Sequence, residues 1–193
     1  MQRLNRKDLF SLEQYAEKRA DFRSRVLEHK KNRRVAIGPN LALYFEDRMT
    51  VHYQVQEMLR IEKIFEADGI EEELSAYNPL IPDGTNLKCT AMLEFTDVAV
   101  RKERLAQLVG IEHLVWLQVN GHDKTFAISN EDLERSTDEK TSAVHFMRFE
   151  LTGAMIAALH AGAGLTFGTD HAGYPYTNEV SPEIREALLQ DLD

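Results

Sequence analysis

Cysteine occurs once in the 193 residues, as Cys89, so the chain can close no disulfide within itself and carries no all-cysteine zinc or iron-sulfur site. Cys89 falls on the apolar side of an alternating stretch and reads as a small core residue. Basic charge is scarce too: 23 Lys and Arg against 32 Asp and Glu leave a net charge of -9. That balance argues against nucleic-acid binding, which needs a basic footprint to release phosphate counterions, and it disfavours acidic partners. No apolar run is long enough to cross a bilayer, so membrane insertion is not expected. The stretch MQRLNRKDLF lacks the apolar segment of a secretory signal, and the expected location is cytoplasmic.

Signatures of covalent chemistry are missing as well. There is no GxSxG elbow, and Gly162-Ala-Gly164 follows a helix and enters a strand, the reverse of a dinucleotide-binding turn. The 7 histidines form no HxH, HExxH, HxxxH or paired ExxH pattern, so the chain is not a ferritin-like di-iron bundle. The sequence specifies no cofactor, and it leaves both enzymatic activity and homo-oligomerisation open.

What is present is an ordinary globular composition, 43% hydrophobic, that fits one domain over 1–193. The organising stretch is 41–67. An apolar strand, 41–45, is followed by Asp47 as a cap and by a helix from Arg48 that no glycine or proline interrupts before Gly69. On a 3.6-residue period Val51, Val55, Met58 and Phe65 share a face flanked by Leu59 and Ile61, and Glu62 falls among them. A carboxylate there requires a cation from the sheet, a raised pKa, or a bound metal.

Around it, Ser11 and Gln14 have capping-box spacing for a helix over 12–29 with Tyr15, Phe22 and Val26 inward. The helix ends in Lys30, Lys31, Asn32, Arg33 and Arg34. These cations suit a helix C-terminus, and Arg33 and Arg34 are also candidates to hold a phosphate or an acidic partner. Strands at 35–37 and 41–45 flank Gly38-Pro39-Asn40 as a hairpin; a short helix over 70–77 leads into the proline-stiffened loop 77–86. A strand over 87–95, a helix over 98–109, and strands at 115–119 and 124–128 around Asn120-Gly121 follow. After the polar loop 130–140 come a strand over 141–151, a helix over 153–160, a strand at 165–169 and a helix opened by Ser181-Pro182-Glu183. Hairpins outnumber βαβ units, which gives an α+β class: a mostly antiparallel sheet with helices packed on one face and a long central helix.

Three groups of residues are candidates for function. His145 alternates with Met147 and Phe149 and points to the core, either as a satisfied core histidine or as a ligand or base. With Glu62, and with His52 beside the apolar face of the central helix, it would form a mixed histidine and carboxylate site for iron, manganese or zinc. Loops 77–86 and 170–176, aromatic at their ends, would form a small-ligand pocket with Tyr77, Asn78, Asp83, His171 and Tyr174 if they meet in space.

The segments HKKNRRVAIGPNLALYFEDRMT, QVQEMLRIEKIFEA, AYNPLIPDGTN and EKTSAVHFMRFEL resemble a bacterial domain-of-unknown-function family, numbered 3501, over nearly the whole chain. The family brings no assigned activity or catalytic residues. Its genes are often found beside those for rubrerythrin and a cysteine-rich iron-sulfur oxidoreductase, so the resemblance implies a role in a peroxide or redox module. The resulting expectation is an accessory or binding protein that contacts an iron-containing partner. The alternatives are a metal-dependent enzyme or sensor, and a small-ligand-binding protein.

Overall fold

The computed structural model of the chain describes residues 2–193. It is α+β, and every strand pairing is antiparallel. The expected hairpin forms β1 (Arg34–Ile37) and β2 (Leu41–Phe45), with Ile37 opposite Leu41. Gly38 turns it at φ 65°, and the Tyr176 ring lies 2.5 Å from where a Cβ would sit, so the turn excludes a side chain twice over. Next come β3 (Asn86–Leu93), β4 (Val115–Val119), β5 (Thr125–Phe126), β6 (Ile128–Ser129), β7 (Val144–Glu150), β8 (Leu165–Thr169) and β9 (Thr177–Glu179).

These strands build two sheets, ordered β1-β2-β3-β7-β6 and β5-β4-β8-β9, where the sequence reading expected one. The expected strand 124–128 is the reason. Its first part pairs with β4 and its last part with β7, and buried Ala127 between them donates to the Val115 carbonyl at 2.8 Å. The chain turns a corner there from one sheet into the other. The inner faces meet in one core: Leu43, Phe45, Leu87, Cys89 and Phe149 pack against Val115, Leu117, Leu165 and Phe167. Phe167 lies 5.2 Å from Phe45 and 5.7 Å from Phe149, ring to ring. The alternation read along β3 and β7 therefore describes an inner and an outer face correctly.

The helices are α1 (Leu12–Lys30), α2 (Arg48–Glu62), α3 (Ala67–Tyr77), α4 (Val98–Gln107), α5 (Gly153–His160) and α6 (Pro182–Leu189). The caps are those the sequence offers: Ser11 with Gln14, Asp47, Thr152 and Ser181 each accept from the first turn. Leu105, Met155, Ile156, Leu159 and Leu188 bring α4, α5 and α6 onto the sandwich core. Helices α1 to α3 form a separate layer with its own clusters, Leu4 with Val51, Val55, Leu59, Leu74 and Ile81, and Tyr15 with Phe22 and Val26.

The central helix differs from expectation. It stops at Glu62 because Lys63 adopts the left-handed conformation (φ 56°, ψ 40°), and Ile64 N–H closes on the Leu59 carbonyl. Helix α1, with 19 residues, is longer than α2, with 15. The buried face of α2 is Thr50, Val51, Val55, Gln56 and Leu59, rotated from the apolar stripe. Gln56 sets that rotation: its carboxamide accepts from Phe10 N at 2.6 Å and donates to Phe10 O at 3.4 Å. Ile61 and Phe65 are left 60% and 72% exposed, and Glu62 lies on the surface. No described helix is long and apolar enough to cross a membrane.

Candidate functional site

Where α2 and α3 approach the outer face of the five-stranded sheet they leave a cleft of about 620 Å³. Met58 of α2, Ala76 and Tyr77 of α3, and Pro79 and Leu80 after it line one wall; Lys88, Ile128, Phe146 and Arg148 line the other, with Arg3 also bordering the cleft. That volume lies within the range of about 300–1,000 Å³ common for small-molecule sites. Strand alternation explains the mixed lining: Lys88, Phe146 and Arg148 are the outward partners of the inward core residues of β3 and β7.

Most charges around the cleft already have partners. Arg148 grips Glu131 with two bonds, 2.9 and 2.7 Å, and also bonds Glu150. Asp132 pairs with Arg135, whose guanidinium lies 4.6 Å over the Phe146 ring. Lys88 is different. Its ammonium donates to the Pro79 and Ile81 carbonyls at 2.8 and 3.0 Å, and among the described residues no carboxylate bonds it. Burial, together with Arg148 and Arg3, pushes its pKa down against the pull of Asp83 and Glu131. Glu73, half-buried on the helical wall, is pushed up by burial and by Glu62 and Glu72.

Of the loop residues singled out from sequence, Tyr77 lines this cleft. Asn78 is a brace, its carboxamide accepting from Leu4 N at 2.8 Å and donating to Leu4 O at 2.9 Å. Asp83 closes its own turn by accepting from Thr85 N and Oγ1. Tyr174 is buried, and its hydroxyl accepts from Asn40 N (2.7 Å) and Leu41 N (2.9 Å) and donates to Ile37 O (2.9 Å). His171 Nδ1 accepts from Gly173 N at 3.1 Å and its Nε2 lies 3.3 Å from Val109 O, so the ring ties down its loop. Its neighbour Asp170 takes Trp116 Nε1–H and Lys124, both at 2.7 Å.

The pocket expected under both loops is not formed. Tyr174 docks at the Leu41 end of β2, opposite Leu93, whereas loop 77–86 feeds β3 at Asn86, beyond the pairing of Phe45 with Cys89. The two loops stand at opposite ends of the same strands.

Glu62, His52 and His145 do not converge either. Glu62 is exposed at the end of α2, and His52 is stacked on Phe10 (5.7 Å) and beside Phe22 (5.1 Å). Burial pushes the His52 pKa down, and its Nε2 has no partner among the described residues. His145 is buried on the inner face of β7. Its Nδ1 accepts from Asn130 Nδ2 at 3.0 Å, and its Nε2 faces Ser142 O (3.0 Å) and Thr141 Oγ1 (2.9 Å). Thr141 and Ser136 in turn donate to Glu112, a buried carboxylate absent from the sequence candidates. Against burial, the Ser136 bond, the backbone, His145 and Thr141 hold the Glu112 carboxyl below its usual range. Among the described residues no three His, Cys, Asp or Glu side chains are grouped to hold a metal ion.

The basic run 30–34 is corrected in the same way. Arg33 is 1% exposed and faces inward. It bonds Asp191, donates to the Phe45, Glu46 and Ala187 carbonyls at 3.2, 3.1 and 3.0 Å, and lies 3.5 Å from Asp47, which also bonds His29. Burial outweighs Arg33 and raises the Asp191 carboxyl to about 6, with Asp47 adding to the push. Arg34 stays at the surface against Tyr44 (3.1 Å) and Glu94 (3.4 Å). Cys89 is buried and its thiol is pushed up, which suits a core residue and opposes a thiolate.

Residues 3–192 match the family model described as "Protein of unknown function (DUF3501)". Comparison with curated proteins finds no match. Among solved structures the chain is similar to the crystal structure of a novel protein of unknown function from Burkholderia pseudomallei. Identity is 51%, the TM-score is 0.94, and 100% of each chain is covered.

Proposed function

The chain belongs to this family of proteins of unknown function, DUF3501, and on that premise we propose that it is a binding protein that does no covalent chemistry of its own. Its site is the cleft between α2, α3 and the outer face of the sheet, and its ligand is small and largely apolar. The observation that carries this reading is the cleft itself, about 620 Å³, floored by Met58, Tyr77, Leu80 and Phe146 at a place where the helical layer and the sheet do not close together. The buried histidine and the carboxylates Glu112 and Asp191 favour the same reading, because their bonds to Thr141, Ser136 and Arg33 hold elements together.

The test uses 1-anilinonaphthalene-8-sulfonate, which fluoresces when it enters an apolar site. Ala76 is exposed and borders the cleft, so Ala76→Trp fills the space without touching the core. The expected result is binding by the parent and loss of it in Ala76→Trp with unchanged circular dichroism. Equal fluorescence in both proteins overturns the assignment.

A second reading, contact with an iron-containing redox partner such as rubrerythrin or an iron-sulfur oxidoreductase, is supported by the family resemblance. It is favoured by the exposure of Ile61 and Phe65 at the α2 to α3 turn, a place where large apolar side chains are costly to leave in water. Co-purification with a tagged chain at native expression tests it: recovery of such a partner from the parent and its loss in Phe65→Asp supports contact, and repeated recovery of the chain alone removes it.

A further inference from the structure

We infer that the ligand of the cleft is an apolar acid, held by its anionic group at Lys88 and Arg3 with its body against Met58, Tyr77, Leu80 and Phe146. This rests on the cleft reading above and adds the chemical class of the occupant.

The argument is one of unmatched charge. An ammonium has three donors, and Lys88 uses two of them on the Pro79 and Ile81 carbonyls, which carry no charge to balance it. Arg3 borders the same space and has no bonded partner among the described residues. The other cation of that wall, Arg148, is already matched by Glu131 and Glu150. Two cations therefore border an apolar surface with no carboxylate bonded to either among the described residues, Asp83 and Glu131 acting on Lys88 only through space, in a chain whose net charge is -9. A half-buried ammonium is stabilised by an incoming carboxylate more than a solvated one would be, because less water screens the pair. Glu73 lines the helical wall of the same cleft, and burial and its acidic neighbours Glu62 and Glu72 raise its pKa. The result is a cleft with one anion-accepting edge and an apolar body, which suits a single carboxylate on a hydrocarbon or aryl skeleton.

The experiment compares octanoate, 1-octanol and octylammonium by calorimetry at neutral pH on the full chain. The three share one apolar body and differ in head-group charge. Octanoate is expected to bind about tenfold more tightly than 1-octanol, a preference that shrinks as salt is raised. Arg3→Ala, at an exposed position with no bonded partner among the described residues, is expected to reduce the preference severalfold while the affinity for 1-octanol stays the same. Lys88→Met is expected to abolish it; if loss of the carbonyl contacts unfolds that variant, Arg3→Ala still decides. Octanoate and 1-octanol binding alike, with both blocked by Ala76→Trp, overturns the acid and leaves the cleft reading standing. Tighter binding of octylammonium overturns the acid and points to Glu73. Failure of all three to bind overturns both readings.

Discussion

Arg33 and Asp191 are bonded to each other in the interior although 158 residues separate them, and each is no more than 2% exposed. Through that guanidinium the end of α1, the junction of β2 with α2 and the segment after α6 are tied together. Removing it leaves Asp191 buried without its cation and Asp47 with His29 alone, so Arg33→Met is expected to cost roughly 3 to 5 kcal/mol. Urea denaturation at neutral pH measures this, and a loss below about 1 kcal/mol would place the carboxylates in better-solvated surroundings than described.

Asp191 makes the same cluster sensitive to pH. Its carboxyl is raised from 3.8 to about 6 in the folded chain, by burial first and by Asp47, so the folded state takes up a proton more readily than the unfolded one. The contribution is in full force below 3.8 and is lost as pH rises through about 6. Asp191→Asn removes the titrating group, and its stability is expected to fall less steeply than the parent's across that window. Parallel curves for the two proteins would show that Asp191 does not titrate there.

Glu112 should behave in the opposite sense. Its carboxyl is held low in spite of burial, so its contribution is present above the ordinary carboxylate value and lost as pH falls through the folded one. Glu112→Gln weakens the charge-assisted bonds from Ser136 and Thr141 and is expected to cost roughly 1.5 to 3 kcal/mol at pH 7. In a double-mutant cycle with His145→Phe the two changes are expected to be non-additive by about 0.5 to 3 kcal/mol, since Thr141 joins them. Additive losses would separate the two groups.

Tyr174→Phe keeps the ring and deletes three hydrogen bonds at the β1 to β2 turn, to Asn40, Leu41 and Ile37. The expected loss is roughly 1 to 3 kcal/mol, read from thermal or denaturant melts. A neutral result would mean that water replaces the hydroxyl.

Glu62→Gln is expected to change stability by no more than about 0.5 kcal/mol, as for surface substitutions generally, because the carboxylate lies on the exposed side of α2. A large loss would restore the buried placement that the apolar stripe suggested.

The elements legible in the sequence were those whose signals lie within a few residues. Strands β2, β4 and β8 and helix α5 begin and end where turns and caps put them, and α6 begins at its N1 proline Pro182, because capping and turn chemistry act on adjacent backbone groups. The alternation around Cys89 and His145 also survives, since a strand places successive side chains on opposite faces wherever it is paired. Of the candidate site, Tyr77 was legible and the rest of the cleft was not. Its other wall is the outer face of β3 and β7, which reads from sequence as ordinary solvated surface.

Local pattern fixed whether most segments were helix or strand, though not β9, which is a strand only through its pairing with β8, and it fixed burial only where the neighbours left no choice. For α2 they did leave one. The apolar stripe allowed two rotations, and Gln56 bonding Phe10, with Lys63 ending the helix in a left-handed turn, chose the one that exposes Glu62 and Phe65. The split of 124–128 between two sheets, the opposite placement of loops 77–86 and 170–176, and the inward turn of Arg33 toward Asp191 were likewise decided by tertiary structure. Each depends on groups far apart in the chain, whose mutual burial has an energy only once the layers are assembled.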